Sequence, residues 1–396
     1  MASVLIALVV AALSIKKGKA APSPPSPRSC VQLEIPVSVD TVTTKWLQPR
    51  VDSSIDAVDW MSYMTTWTSP KGDAAILGNI TVKQTFKING QLCVPPKGAK
   101  SDILQLATHG VGFDKRYWDA EVKPQEYSYV EAVLAQGYSI FTYDRLGTGG
   151  SDKPDAYDIL QTNVQVEILR GLTTLARSGK LVSSSKKLGG TSDDHVLKYK
   201  PKKIVHVGHS LGSVITLGLV GAYGAESDGA IATGFLYTNK LSTVNVATWG
   251  FQFARENDPV NFKDRGSGYV VQGTKYNTQL QFLKKGAFEP ALLDYAFKIR
   301  QPNSVSEFVS IGGSFSGGEA TNFKAPIQFV IGEHDYGFCA GDCNGTYNIT
   351  MIKGLYPAAT AVDVHIQPKT GHGLTLSTNA TAGYKVSFDF LEKAGL

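Results

Sequence analysis

KKIVHVGHSLGSVITLGLVGAYG occupies residues 202–224 and contains a strand, a sharp turn and a helix in immediate succession. Its IVHV run at 204–207 is rich in β-branched residues, which is typical of a buried parallel strand. The turn GHSLG at 208–212 is followed by apolar residues up to Tyr223, which predict a helix. A strand that leads through a tight turn into a helix is the repeating unit of an α/β sheet.

Strand-like and helix-like segments alternate on both sides of this stretch. Strands are predicted at residues 102–107, 138–143, 230–238, 326–331 and 361–366, and helices at 127–136, 163–177 and 384–394. Such alternation indicates an α/β fold with a mostly parallel, doubly wound sheet. A hairpin is predicted before it, from a strand at 80–88, an Asn89-Gly90 turn and a returning strand at 91–94. We interpret the polar, serine-rich segment 178–202 as a solvated surface insertion.

The long segment between the strands at 230–238 and 326–331 lacks clean β alternation and contains helix-like stretches. We therefore interpret residues 239–325 as a largely helical cap. Its aromatic residues would either line an apolar pocket or pack the cap on the core. They are Trp249, Phe251, Phe253, Tyr269, Tyr276, Phe282, Phe288, Tyr295, Phe297, Phe308 and Phe315. The other predicted parts are a signal peptide at 1–20, a linker and N-terminal extension at 21–79, and two parts of the core at 80–238 and 326–396.

The N-terminal residues 1–20 resemble a secretory signal. Their apolar run at 4–13 is too short to span a bilayer, although Lys16, Lys17 and Lys19 follow it where signal peptides are usually neutral. Without these three lysines, the total of 39 basic residues becomes 36 against 34 acidic residues, a net charge of +2. This balance argues against a nucleic-acid-binding surface, and no stable membrane anchor is expected.

Sequons and cysteines agree with secretion and with an extracellular location. Candidate glycosylation sites of the form N-x-S/T occur at Asn79, Asn344, Asn348 and Asn379. The four cysteines form an even set, and none has metal-ligand spacing with histidine. Two disulfides are therefore predicted, in preference to thiol chemistry or zinc. Cys339 and Cys343 would close a very short loop, and Cys30 and Cys93 would tie the N-terminal arm to the first strands.

Ser210 is the candidate nucleophile. It lies at the centre of the G-x-S-x-G sequence Gly208-His209-Ser210-Leu211-Gly212, between the predicted strand and helix. Small residues are needed on both sides because a strained turn leaves no room for a Cβ atom there. The five letters alone would occur by chance about 0.3 times in such a chain. The alternative is a serine without chemistry in a glycine-rich turn, so the interpretation depends on its partners.

The partners of Ser210 should follow it in the order acid, then histidine. Among the later histidines, His372 lies in a glycine-flanked loop after the last strand and is the candidate base. His365 lies within a strand, and His334 directly precedes the candidate acid. That acid is Asp335, after the strand at 326–331. Glu333 is its near rival, and Asp342 is a more distant one.

A reaction at a carbonyl group also needs two backbone N–H groups directed at the developing oxyanion. One would come from Leu211, the residue after the nucleophile. The other would come from Val111 in the loop His109-Gly110-Val111-Gly112. His109 is assigned a turn-shaping role. No cofactor and no metal are required.

At these residues the chain resembles the α/β-hydrolase superfamily, over roughly residues 80–396. The resemblance lies in five motifs that occur in the family's order: His109-Gly110, the turn DRLGTGGS at 144–151, GHSLG at 208–212, GEHD at 332–335 and Gly371-His372. It implies an eight-stranded sheet with a cap over the site. With a serine at position 210, the chain resembles secreted, fungal-type capped esterases and lipases. Epoxide hydrolases and haloalkane dehalogenases have an aspartate at that position.

The expected function is hydrolysis of a small apolar or aromatic carboxylic ester or lactone through an acyl-enzyme. The same triad would also serve a peptidase, a perhydrolase, or a cyclase or lyase, because a triad does not name its substrate. A further alternative from another class is a non-catalytic ligand carrier on a hydrolase scaffold. Covalent labelling of Ser210 by a fluorophosphonate would distinguish an enzyme from a carrier.

Overall fold

The computed structural model describes residues 28–240, 245–312 and 319–396. The predicted signal peptide at 1–20, most of the linker and Phe315 lie outside these residues. The strands are β1 (Cys30–Trp46), β2 (Ile76–Cys93), β3 (Ile103–Thr108), β4 (Ser139–Tyr143), β5 (Lys186–Gly190), β6 (Lys203–His209), β7 (Gly229–Thr233), β8 (Phe251–Phe253), β9 (Tyr269–Gln272), β10 (Asn303–Ser304), β11 (Ile327–Gly332) and β12 (Val362–Gln367).

The helices vary in length from a single turn to several turns. They are α1 (Ser54–Thr65), α2 (Pro124–Tyr127), α3 (Tyr129–Ala135), α4 (Thr162–Arg177), α5 (Asp194–Leu197), α6 (Leu211–Tyr223), α7 (Asn245–Thr248), α8 (Ala254–Asn257), α9 (Lys275–Phe282), α10 (Pro290–Lys298), α11 (Val305–Ser310), α12 (Tyr336–Cys339), α13 (Ile349–Leu355) and α14 (Ala380–Lys393). The helix predicted at 127–136 is divided at Ser128, whose hydroxyl accepts from the N–H of Glu131 and so caps α3.

The central sheet confirms the predicted α/β architecture. Its strand order is β12-β11-β7-β6-β3-β4-β2-β1-β5. The strands from β12 to β4 are parallel, and β2, β1 and β5 are antiparallel to their neighbours. The expected number of eight strands was one too few for the part of the chain described. Neither β1 nor β5 had been predicted as a strand, whereas the strands predicted at 80–88 and 91–94 are one strand, β2. β5 pairs with β1 and lies in the segment interpreted as a solvated insertion.

The predicted Asn89-Gly90 hairpin turn is wrong. β2 is continuous from Ile76 to Cys93, and both residues stay paired with β1 in this register. A Cβ atom on Gly90 would lie 2.4 Å from the ring of Phe141. The glycine therefore permits a close approach between β2 and β4. In the sequence, a glycine needed for such an approach cannot be distinguished from a glycine needed for a turn.

The N-terminal region that precedes residue 80 contributes to the same sheet. β1 alternates buried and exposed side chains, with Val31, Leu33 and Ile35 fully buried. The following helix α1 places Trp60, also fully buried, against the rings of Phe251 and Phe308 at centroid distances of 6.3 and 5.8 Å. The segment predicted as an extension thus packs against both the sheet and the residues between β7 and β11.

The residues between β7 and β11 are less purely helical than predicted. They include α7 to α11, together with a three-stranded antiparallel sheet in the order β10-β9-β8. These strands have only two to four residues, too few to produce a recognisable alternation. Most of the aromatic residues named above are buried there, whereas Tyr276 is 71% exposed. Packing between this segment and the core accounts for the buried ones.

Both predicted cysteine pairs are bonded, Cys30 to Cys93 and Cys339 to Cys343. The first bond joins the ends of β1 and β2 across 63 residues of sequence, and the second spans 4 residues. A crosslink stabilises a fold in proportion to the entropy it removes from the unfolded chain, which grows with loop length.

We predict that the Cys30→Ser/Cys93→Ser variant loses about 4 kcal/mol of unfolding free energy, and the Cys339→Ser/Cys343→Ser variant about 2 kcal/mol. Urea unfolding of the two double variants beside the oxidised wild type measures both losses. An equal or larger loss from opening the short loop would contradict the prediction.

Candidate active site

Ser210 lies at the sharp turn between β6 and α6, as predicted. Its backbone has φ +55° and ψ −119°, a conformation that residues other than glycine rarely adopt. The turn is tight because a Cβ on Gly208 would lie 2.4 Å from the Cα of Ser213, and a Cβ on Gly212 would lie 2.1 Å from the carbonyl oxygen of Thr108. The two glycines therefore let the helix pass close to β3 and β6, which leaves Ser210 at the carboxyl edge of the sheet.

The candidate acid and base are in direct contact. His372 Nδ1 lies 2.5 Å from Asp335 Oδ2, and the two side chains are 1% and 0% exposed. The other carboxylate oxygen, Oδ1, accepts from the N–H of Phe338 at 2.9 Å, because Asp335 is the N-cap of α12. The carboxylate is thus held from both sides and fixes the orientation of the imidazole.

The rival residues lie in other surroundings. Glu333 accepts from the N–H of Lys369 at 2.7 Å, and this hydrogen bond lowers the pKa of its carboxyl group. Asp342 is exposed and bonded to Asn344. His365 Nε2 faces Gln367 on β12. Among the described residues, Asp335 is therefore the only one of these candidates whose side chain is hydrogen-bonded to the imidazole of His372.

Ser210 and His372 are brought to the same edge of the sheet. The ring of His209, the residue before the serine, lies 4.9 Å from the ring of His372. A Cβ on Gly234 would lie 2.5 Å from His209 and 3.1 Å from His372, so this glycine leaves space for both imidazoles. Within the described part of the chain, no hydrogen bond joins Ser210 Oγ to His372. Such bonds are often long without substrate and shorten when substrate binds.

His209 is a buried neutral imidazole beside the candidate base. Burial, followed by the charges of His372 and His109, holds its pKa well below the usual range. Its ring stacks on Tyr117 at 4.3 Å, and its Nδ1 lies 3.2 Å from the Thr233 hydroxyl. These contacts fix the residue next to Ser210 without adding a second titrating group to the site.

Aromatic rings surround the base. Phe282 lies 5.5 Å and Phe338 5.9 Å from the ring of His372, measured between centroids. Phe282 also contacts Phe113 at 4.6 Å and Trp249 at 5.6 Å. Their place in the site could not be inferred from sequence, because phenylalanines at such spacing are usually ordinary core residues. The rings make the surroundings of His372 apolar, which strengthens charge interactions there.

The predicted oxyanion loop lies against the serine. A Cβ on Gly110 would lie only 2.8 Å from the Cβ of Ser210. In the described part of the chain, the N–H groups of Val111 and Leu211 donate to no protein acceptor, whereas the N–H of the next loop residue, Gly112, donates to Asn303. Two unsatisfied donors beside a serine are what stabilisation of an oxyanion requires.

The sequons differ in accessibility. Asn79, Asn344 and Asn348 are exposed, and Asn348 also caps α13 through its side-chain oxygen. Asn379 is half-buried, and its Nδ2 donates to the carbonyl oxygen of Pro368 at 2.7 Å. The first three sites are therefore better placed to carry a glycan.

Two negative observations apply to residues 28–240, 245–312 and 319–396. No helix in these ranges has the length and apolar character needed to cross a membrane. The same ranges contain no group of three or more His, Cys, Asp or Glu side chains that could hold a metal ion.

We predict that Gly212→Ala destabilises the protein by about 1–3 kcal/mol, because its Cβ collides with the backbone of β3. Gly221→Ala is the matched control on the same helix, since its Cβ would meet nothing within 4 Å. It should be neutral or stabilising by up to about 1 kcal/mol. Chemical unfolding of both variants provides the comparison, and equal losses would contradict the tight-turn explanation.

This chain is similar to known proteins both in its sequence pattern and in its fold. A model described as the alpha/beta hydrolase family matches residues 106–382. A bromoperoxidase from Bacillus anthracis is 17% identical with a TM-score of 0.50, and the match covers 78% of this chain and 96% of that chain. A thermophilic esterase from Thermogutta terrifontis is 13% identical with a TM-score of 0.49, and the match covers 87% of this chain and 98% of that chain. A lipase named lip1 from Acinetobacter baumannii AYE, called putative in its description, is 16% identical with a TM-score of 0.47. The match covers 78% of this chain and 89% of that chain.

No curated protein matches this chain. At these low identities, structural likeness shows the fold alone. The family match, however, spans residues 106–382 of a 396-residue chain, which include the candidate oxyanion loop, the serine turn, the candidate acid and the candidate base. The chain therefore belongs to the alpha/beta hydrolase family.

Proposed function

We propose that this protein is a serine hydrolase that cleaves a carboxylic ester or lactone through an acyl-enzyme. The observation that carries the proposal is the buried hydrogen bond between Asp335 and His372, 2.5 Å long, beside a serine in a strained turn. A buried acid and imidazole in this arrangement form the base that a serine hydroxyl needs at neutral pH.

In the first step, Ser210 Oγ attacks the ester carbonyl carbon while His372 Nε2 takes the hydroxyl proton. Asp335 stabilises the resulting imidazolium and keeps its Nδ1–H directed at the carboxylate. The carbonyl oxygen becomes an oxyanion and accepts from the N–H groups of Val111 and Leu211. The C–O bond to the alcohol then breaks, the alcohol oxygen takes the proton from His372, and an acyl group remains on Ser210.

In the second step, water replaces the alcohol. His372 takes a proton from the water molecule, whose oxygen attacks the acyl carbon. The same two N–H groups stabilise the second oxyanion. Collapse of this intermediate returns the proton to Ser210 Oγ and releases the carboxylic acid. If the substrate is a lactone, the alcohol and the acid stay joined in one product.

The aromatic surroundings of the base favour an apolar or aromatic substrate. Phe113, Phe282, Trp249 and Phe338 form a connected set of rings that reaches His372. Phe113, Phe282 and Trp249 are buried, so Phe338, which is partly exposed, is the ring of this set that is placed to contact a substrate. The alcohol of an ester leaves once His372 has protonated its oxygen, so the triad needs no further acid.

Secretion and glycosylation form a second part of the proposal. The two disulfides and the exposed sequons at Asn79, Asn344 and Asn348 support it, because disulfides persist mainly in oxidising compartments. The candidate signal peptide at 1–20 would direct the chain there. Expression in a eukaryotic secretory host followed by glycosidase treatment would test this part.

The experiment for the catalytic proposal is hydrolysis of p-nitrophenyl esters of increasing acyl length. We predict that Ser210→Ala and His372→Ala each lower kcat by at least about 10³-fold, and that Asp335→Asn lowers it by about 10²–10⁴-fold. Asp342→Asn and His365→Ala are matched controls outside the acid–base pair, and both should keep kcat within about threefold of the wild type.

Labelling with a fluorophosphonate separates the alternatives. A wild type that turns over esters and is labelled at Ser210 supports the proposal. Full activity in Ser210→Ala would contradict it. A wild type that binds apolar ligands but shows neither hydrolysis nor labelling would favour the non-catalytic carrier.

A further inference from the structure

One side of the candidate oxyanion hole is the peptide group between Gly110 and Val111. A trans peptide is planar, so its C=O and N–H bonds point in opposite directions. Whatever holds the carbonyl of Gly110 therefore also sets the direction of the Val111 N–H. A positive charge at the carbonyl end polarises the same peptide and makes the N–H a stronger donor.

Two side chains hold that carbonyl oxygen. Arg145 Nη2 donates to it at 3.3 Å, and His109 Nδ1 lies 2.9 Å from it. His109 Nε2 accepts from the backbone N–H of Arg145 at 3.0 Å, which leaves the proton on Nδ1, where it donates to Gly110. Burial, followed by the charge of Arg145, lowers the pKa of His109 well below its usual range, so this tautomer is neutral.

Arg145 is in turn held by residues of the segment between β7 and β11. Its Nη1 pairs with the Glu307 carboxylate of α11, and the two side chains are 0% and 1% exposed. Glu307 also accepts from Gln165 Nε2 at 3.0 Å and from the N–H of Ser304 at 3.2 Å. A buried ion pair with its remaining acceptors satisfied has a fixed geometry, because any displacement leaves a charge uncompensated.

The loop is held on its other side by the same segment. Asn303 Oδ1 accepts from the N–H of Gly112 at 3.2 Å and from Arg145 Nη2 at 3.3 Å. The N–H of Gln301 donates to the carbonyl oxygen of Gly112 at 2.9 Å. The peptide groups on both sides of Val111 are thus held, and within the described ranges the Val111 N–H has no protein acceptor.

We propose that Arg145, fixed by Glu307 and Asn303, is a positioning residue that directs and polarises the Val111 N–H toward the oxyanion. The inference rests on the proposed function, because it assigns a role within the same site. It also gives the segment between β7 and β11 a part in the chemistry, since the oxyanion donor is correctly oriented only when this segment is in place.

The test compares two variants with the wild type. Arg145→Met/Glu307→Leu removes both charges, since a single substitution would leave the other charge buried and uncompensated. Asn303→Ala keeps the ion pair but removes the acceptor of Gly112, so it remains informative if the double variant does not fold. Each is assayed for kcat and KM with a p-nitrophenyl ester, and for inhibition by an aryl trifluoromethyl ketone, whose adduct with the serine carries an oxyanion.

We expect kcat to fall by about 10–10³-fold in both variants, with KM changed by less than about threefold. Affinity for the trifluoromethyl ketone should fall in parallel with kcat, which a merely structural role would not produce. Arg177→Met is the control, because it breaks the ion pair with Asp228 on another part of the core. It should keep kcat and the inhibitor affinity even if the melting temperature falls.

Three results would overturn the inference. Unchanged kcat in folded variants would show that Arg145 and Asn303 do not position the donor. A lower kcat with unchanged inhibitor affinity would place their effect elsewhere than at the oxyanion. Absence of ester hydrolysis and of fluorophosphonate labelling in the wild type would instead remove the proposed function, and this inference with it.

Discussion

The tight turn between β6 and α6 is the constraint on which the rest of the site depends. Gly212 brings α6 so close to β3 that a Cβ there would lie 2.1 Å from the backbone oxygen of Thr108. This approach fixes where β3 ends, and therefore where the loop after Thr108 runs past Ser210. The candidate acid and base follow β11 and β12, whose carboxyl ends lie at the same edge as that of β6 because these strands are parallel. The tight turn thus places the candidate nucleophile at the edge of the sheet where the candidate acid and base, far away in sequence, also lie.

Electrostatics then determine what the aligned groups do. The Asp335–His372 pair is buried and surrounded by aromatic rings, where a low local dielectric strengthens its interaction. A second buried pair, Arg145 and Glu307, contacts the candidate oxyanion loop through the hydrogen bond from Arg145 to the carbonyl oxygen of Gly110. The two pairs play different parts in the account proposed here: the first prepares a base, and the second fixes a donor. Removing one partner of the Arg145–Glu307 pair would leave an uncompensated charge, so this pair also links the elements that supply it.

The sequence was most informative where the determining contacts are local. The β-branched run at 204–207, the glycines at 208 and 212, and the two loops that contain Asp335 and His372 each lie within a short segment. Gly90 was misinterpreted because a close approach between strands and a turn both require glycine. The pairing of β5 with β1 and the Arg145–Glu307 ion pair were not foreseen, since the latter joins residues 162 positions apart and no periodicity encodes it. Contacts between distant segments therefore account for most of what the sequence left undetermined.

The central claim is that Ser210 carries the acyl group of the substrate. The most direct measurement is peptide mass spectrometry of the protein quenched in acid during turnover of a p-nitrophenyl ester. The account predicts the mass of the acyl group on the peptide that contains Ser210, and no such adduct in His372→Ala. Continued turnover with no acyl group on that peptide, or with the adduct on another residue, would contradict it.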